Sequence, residues 1–184
     1  MNAIRFVIGA AVLAGALAAC EAETTGPLVP PDLEALDAES VVYTLRTVLT
    51  RNGVREALVE ADTAYFFSDS TVVLLRGRVR LTAYDEESGT LKATVRSQRG
   101  RLNTSNNAMV AWGEASLELA DGRVVQSPEI HYAPERNQIW SDTTSVLRDA
   151  DGSVLEGTSF TSDLDFTNLR VQNPRSRGGV IRFE

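Results

Sequence analysis

The residue types that most often carry covalent or acid–base chemistry are scarce in this chain of 184 residues. Cys20 is its only cysteine and His131 its only histidine. A lone thiol forms no intramolecular disulfide and no cysteine-based zinc site. With one imidazole, nearly every nucleophile–histidine arrangement is excluded, and a hydrolase is argued against. His131 alternates with Ile130 and Tyr132, which turns it outward from a strand whose apolar residues point inward. Asp163 and Asp165, two apart, would share one face of a strand and offer paired carboxylates to a proton or a hard cation. The same two residues equally suit capping and turn formation near a glycine-punctuated repeat. No cofactor is expected. The chemistry left to Cys20 is modification of its sulfur.

The residues around Cys20 say which modification. Residues 1–5 carry one cation, Arg5, and residues 6–17 (FVIGAAVLAGAL) are uncharged and apolar. That run is shorter than the roughly 20 residues a membrane-spanning helix needs, and it fits a signal-peptide core. It closes on Leu17-Ala18-Ala19-Cys20, which resembles the bacterial lipobox. The resemblance implies cleavage before Cys20, lipid attachment to its sulfur and acylation of the new amine. Several acyl chains, at ~0.8 kcal/mol per buried methylene, make a durable anchor. Glu21, not an aspartate, follows, so no inner-membrane retention signal of the aspartate type is present. Residues 21–32 (EAETTGPLVPPD) hold three prolines and no periodicity and read as an extended tether. The expected layout is a lipoprotein signal peptide over 1–19, lipidated cysteine and linker over 20–40, one folded domain over 41–172 and a tail over 173–184.

Charge narrows the partners. The formal net charge is −7 and the hydrophobic content 43%. A binder of phosphate backbones is normally basic, so nucleic acid is not an expected partner. A broadly acidic surface also does not adsorb to anionic headgroups. The hydrophobic content is ample for one real core.

From Val41 onward the pattern is that of strands. Asn52-Gly53 between VVYTLRTVLT and VREALVEA is a strong hairpin signal, and it opposes a helical reading of residues 41–64. Short strands are expected at 72–75 and 78–83, where Val79, Leu81 and Ala83 alternate with Arg78, Arg80 and Thr82. Leu91, Ala93 and Val95 share a face after a turn at 87–89, and so do Ala115, Leu117 and Leu119. Glycine turns at Gly53, Gly89, Gly122 and Gly152 recur 36, 33 and 30 residues apart. Each unit looks like a hairpin with a return strand. Such a unit cannot cover its own apolar face, so the units must stack. The expected fold is all-β: a curved antiparallel sheet folding over an apolar interior.

These residues resemble a known family. The order Asn52-Gly53, Ala64-Tyr65, Gly77-Arg78-Val79, Gly89-x-Leu91-x-Ala93, Gly113-Glu114, Asp121-Gly122, Ile139-Trp140-Ser141-Asp142 and Gly157-x-x-Phe160-x-x-Asp163-x-Asp165 is similar to LptC, the periplasmic bridge component of the lipopolysaccharide-export ABC transporter. The resemblance covers about residues 41–171 and is most specific over 130–166. It implies an OstA-like β-jellyroll built from stacked hairpins with an open apolar groove. It further implies lipopolysaccharide as cargo, its lipid A acyl chains inside. The partners would be the inner-membrane transporter subunits at one end and the next bridge protein at the other, joined by edge-strand pairing. The family's usual anchor is an N-terminal membrane helix. The lipobox replaces it here, and the implied location is the periplasm, with the inner membrane favoured and the outer membrane open.

The candidate groove residues are Val79, Leu81, Leu91, Val95, Leu117, Leu119, Ile130, Tyr132, Ile139, Val146, Phe160, Phe166 and Leu169, with Cys20 as the lipid attachment point. They either line a groove or fill an ordinary sandwich core; alternation is the same in both. Trp112 and Trp140 suit a groove rim or an anchor of the sheet. Arg175, Ser176 and Arg177 form a small basic segment, facing glycolipid phosphates or solvent. Beside the carrier stands a second reading: a β-sheet scaffold that pairs edges with envelope proteins and holds no lipid.

Overall fold

A computed structural model describes residues 38–176, and the expected signal peptide and Cys20 lie outside that range. Six long strands come first: β1 (Ser40–Arg51), β2 (Val54–Phe66), β3 (Val72–Tyr84), β4 (Leu91–Asn103), β5 (Met109–Leu119) and β6 (Val124–Ala133). Six short ones follow: β7 (Gln138–Ser141), β8 (Ser145–Arg148), β9 (Val154–Gly157), β10 (Ser159–Ser162), β11 (Arg170–Gln172) and β12 (Arg175–Ser176). All belong to one antiparallel sheet of 12 strands that does not close on itself.

The short strands are the long pattern broken in the middle. β6 pairs with β7 through His131–Ala133 and with β8 through Val124–Gln126. β7 pairs on with β10, and β8 with β9. The next pairings are β10 with β11 and β9 with β12. Thus β7 with β8, β9 with β10, and β11 with β12 are each two halves of one bent path. Among the described residues the edges of the sheet are β1 and the β11–β12 pair.

The long strands bend at the same level without breaking. Ladder register shifts between Glu60 and Thr63, Arg76 and Val79, Arg96 and Arg99, and Trp112 and Ala115. In β3 and β5 the irregularity is a pair of left-handed residues, Gly77-Arg78 (φ 70 and 41) and Gly113-Glu114 (φ 77 and 55). Bulges of this kind kink a strand and sharpen its twist. At Gly77 a side chain is excluded twice over: φ is in the left-handed region, and a Cβ would sit 2.5 Å from Asp62 Oδ2. Arg78 Nε donates to both Asp62 oxygens at 2.9 and 3.1 Å, and Gln98 Nε2 donates to Glu114 at 2.7 Å, pinning the bend from outside. The expected separate strands at 72–75 and 78–83 are therefore one strand with a bulge.

The bend line divides every path into two leaves. The first leaf holds the ends near the Asn52-Gly53, Gly89, Gly122 and Gly152 turns. Antiparallel pairing brings those turns to one side, which explains the recurring glycines: one period is two strands and two turns. At Asn52-Gly53 both residues have positive φ (52 and 81), the geometry that matches a two-residue hairpin to the strand twist. The second leaf holds the opposite ends. Its inward residues, Leu75, Leu102, Met109, Ile130, Ile139 and Phe160, join Val59, Leu81, Val95, Leu117, Val125 and Leu147 of the first leaf in one buried apolar cluster. The core is the space between the leaves, and it runs across the strands from one sheet edge to the other.

Candidate functional site

Apolar residues on alternating positions meet between the leaves because the bend returns them to the same side. Along β2, β4 and β6 the inward series skips a residue at the bend: Ala61 to Ala64, Ser97 to Gly100, Ser127 to Ile130. Along β3 and β5 the left-handed pair keeps it in phase: Leu75 to Val79, Ala111 to Ala115. Of the expected groove residues, Val79, Leu81, Val95, Leu117, Leu119, Ile130, Tyr132, Ile139, Phe160 and Phe166 lie in the single buried cluster, and Leu169 packs against it, half buried.

Two expected groove residues lie elsewhere. Leu91 is 49% exposed. Ala83 pairs with Ala93 but Tyr84 pairs with Leu91, so Lys92 is an extra residue and the alternation breaks there. Val146 is half buried and lines a shallow outer depression with Gln126, Pro128 and Thr144. Its neighbour Leu147 takes the inward place. In the run Ser145-Val146-Leu147 either apolar residue satisfies a two-residue period, and the register with Val125 selects Leu147. Leu75 was hidden in the same way by the continuous run Val72-Val73-Leu74-Leu75.

The interior is closed over most of its length by its own side chains: Leu117 and Val125 are fully buried. At the β1 edge it opens into a cavity of about 360 Å³. Leu45 and Leu49 line it from one leaf, Phe66, Val73 and Leu102 from the other. On the open edge itself Val41, Val42, Tyr43 and Val48 are exposed, Tyr43 by 58%.

Where the turn ends of the two leaves meet, the contacts are polar. Arg51 Nη1 donates to Pro134 O at 3.3 Å, and Asn107 Nδ2 to Thr50 O at 3.2 Å. Lys92 Nζ donates to Asp165 Oδ1 at 2.6 Å, and Arg123 Nη2 to Phe166 O at 3.0 Å. Arg51 also holds Glu86. Beneath this seam Glu56 is the unpaired residue of a bulge in β2, since Leu49 pairs with Ala57 and Thr50 with Arg55. The bulge turns its carboxylate inward, where it is 4% exposed. Arg51 Nη2 is 3.3 Å from Oε1, yet neither oxygen accepts a hydrogen bond among the described residues. Burial pushes the Glu56 carboxyl above its ordinary value; Arg51 pulls it back and Glu86 pushes it further up. Burial, with the Glu56 charge, likewise raises the Tyr132 phenol.

Asp163 and Asp165 do not form a carboxylate pair. Asp163 accepts from Thr167 N (2.9 Å), Thr167 Oγ1 (2.7 Å) and Asn168 Nδ2 (2.7 Å) and caps the loop after β10. Burial pushes its carboxyl up, but the Thr167 and Asn168 hydrogen bonds outweigh it and bring it to about 2. Asp165 serves the seam through Lys92. His131 faces outward, stacked on Trp140 at 4.9 Å and 3.1 Å from Glu129. Both rings line an outer depression of about 440 Å³ with Arg101 and Arg136. Trp140 thus braces the outer face and does not rim the interior; Trp112 is half buried on the same face, opposite Glu129. Arg175 and Ser176 continue the sheet as β12, and Arg177 lies outside the described residues. No described helix is long and apolar enough to cross a membrane.

No curated protein matches the chain. Among solved structures, it is similar to LptH of Pseudomonas aeruginosa, described as the LptA-homologous periplasmic component of the conserved lipopolysaccharide transport device. The match has a TM-score of 0.50 and 18% identity, covering 66% of this chain and 90% of that one. At that identity the likeness speaks for the fold, an OstA-like β-jellyroll. Residues 8–173 match the family described as lipopolysaccharide-assembly, LptC-related. That match takes in β1 to β11 of the bent sheet and the apolar interior it encloses: the chain belongs to the LptC family.

Proposed function

We propose that this protein is a lipid-anchored periplasmic carrier in lipopolysaccharide export. It accepts the lipid from the inner-membrane ABC transporter and passes it along a β-jellyroll bridge toward the outer membrane. The observation that carries the reading is the continuous apolar cluster between the leaves, which spans the stack of strands and opens at the β1 edge. An acyl chain leaving a membrane needs continuous apolar surroundings of this kind, because each exposed methylene costs about 0.8 kcal/mol. A carrier must also release its cargo, and the aliphatic residues of the cluster make no directional bonds to an acyl chain.

Both edges suit neighbours of the same architecture. Among the described residues β1 is paired on one side only and exposes Val41, Val42 and Tyr43, and an added strand would cover both the edge and these side chains. The β11–β12 edge offers the second junction. Cys20, lipidated, would tether the domain through the proline-containing linker.

Photocrosslinking residues at Ile130 and Phe160 are expected to capture lipopolysaccharide in cells, while one at the exposed Leu91 is not. Capture at none of the three favours the protein scaffold instead. Cys20→Ala is expected to abolish lipid labelling of the protein; continued labelling would remove the anchor from the proposal.

A further inference from the structure

The interior is packed and its edge cavity is small, so several acyl chains enter only where packed groups part. The bend line is covalently continuous and cross-linked by ladders of backbone bonds. The opposite side of the trough is not. There the leaves meet through isolated side-chain contacts: Arg51 to Pro134 O, Asn107 to Thr50 O, Lys92 to Asp165, Arg123 to Phe166 O. Two of these contacts are exposed and two part-buried, and contacts of this kind contribute roughly 0–1.5 kcal/mol each.

Two further features make this seam cheap to open. Glu56 is turned inward under it by a bulge, and its oxygens accept no hydrogen bond among the described residues. A buried carboxylate is costly to keep desolvated even with Arg51 at 3.3 Å, and that cost falls on the closed state. The lip loop also carries Phe166 at φ 58, a left-handed conformation unfavourable for a bulky residue and held by the Asp163 cap. Three cations from the first leaf, Arg51, Lys92 and Arg123, stand along the lip above the apolar interior. Each is held by a carboxylate or carbonyl oxygen of the protein, the same acceptor type that a phosphate supplies more strongly.

We propose that the seam is a lateral portal: it parts to admit acyl chains sideways, and Arg51, Lys92 and Arg123 then exchange their internal oxygen partners for phosphates of the glycolipid headgroup. This rests on the carrier reading above. It adds where the lipid enters and which residues hold its charged end.

The test uses the full chain with Cys20→Ser, Lys92→Cys and Asp165→Cys, bridged by a short bifunctional methanethiosulfonate that reductant removes. Binding of fluorescent lipopolysaccharide is expected to fall at least tenfold in the bridged form and to return on reduction. The same bridge between Thr50→Cys and Asn107→Cys tethers the seam at a second point and serves if the first pair does not fold. Equal binding with the seam tethered and free overturns the portal while leaving the carrier standing. Absence of binding by the unbridged, unsubstituted protein overturns the carrier and the portal with it. For the cations, Lys92→Gln with Arg123→Gln is expected to reduce the preference for lipopolysaccharide over its dephosphorylated form by about tenfold. An unchanged preference overturns their role as phosphate ligands.

Discussion

The two long sides of the trough are built from opposite materials. Along the bend, strands run through without interruption or stop and resume, and the residues facing inward are small and buried: Ala61, Ala64, Ala111 and Ala115, with Ser127, Ser141 and Ser145 hydrogen-bonded to one another. Along the seam no backbone ladder crosses among the described residues, and the contacts are the exposed or part-buried ones of Arg51, Lys92, Arg123 and Asn107. Stability is concentrated on one side and the capacity to open on the other. A clamshell with a strong hinge and a weak lip can part without unfolding, because local opening follows regions with few buried contacts.

That contrast is breakable by substitution. The largest loss is expected inside the hinge side: Leu117→Ala, fully buried among both leaves, should cost ~2–5 kcal/mol in chemical denaturation. Gly77→Ala strikes the bend itself. Its Cβ would meet Asp62 and its φ of 70 is strained for alanine, so a loss of ~1–3 kcal/mol is expected, with the Arg78–Asp62 pair disturbed.

Glu56→Gln goes the other way. Burial raises the folded-state pKa of this carboxyl above its ordinary value of 4.5, so the folded state disfavours the charged form. The penalty is full above the folded value and absent below the unfolded one. The variant should therefore be more stable than the parent at neutral pH, by ~1 kcal/mol, and the gap should close as pH falls toward 4.5. The groups facing Glu56 are Arg51, Glu86, Asn107 and Tyr132, and glutamine leaves Arg51 an oxygen to face. Thermal melts of both proteins across that range check the sign; a gap that widens in acid would contradict it.

Lys92→Gln should cost less, ~0–1 kcal/mol globally, while amide exchange in the loop of residues 163–169 accelerates. If exchange in that loop is unchanged, the seam contact is not what orders it. Smallest of all is Leu91→Ser, expected within about 0.5 kcal/mol because the side chain is exposed. A loss like that of Leu117→Ala would return Leu91 to the interior.

Much of this was legible before any coordinates. Strand alternation at Val79-Leu81-Ala83, Leu117-Leu119 and Ile130-Tyr132 marks the inward face, and the glycine turns mark the repeat. The two misplaced groove residues have different causes. Alternation points Leu91 inward, but the extra residue Lys92 breaks the register there, and a bulge reverses the side chains beyond it. In Ser145-Val146-Leu147 two adjacent apolar residues fit the same period, and only the pairing with Val125 selects Leu147.

The chain by itself determined the elements: turn chemistry and polar–apolar alternation are local and survive in any tertiary setting. Only the folded molecule decided which of two adjacent apolar residues points in, that Glu56 is buried, and that Lys92 meets Asp165 and Arg123 meets Phe166. Those contacts join residues far apart in sequence through the bend of the sheet. No short window of residues records how much a strand bends or what the opposite leaf brings to meet it.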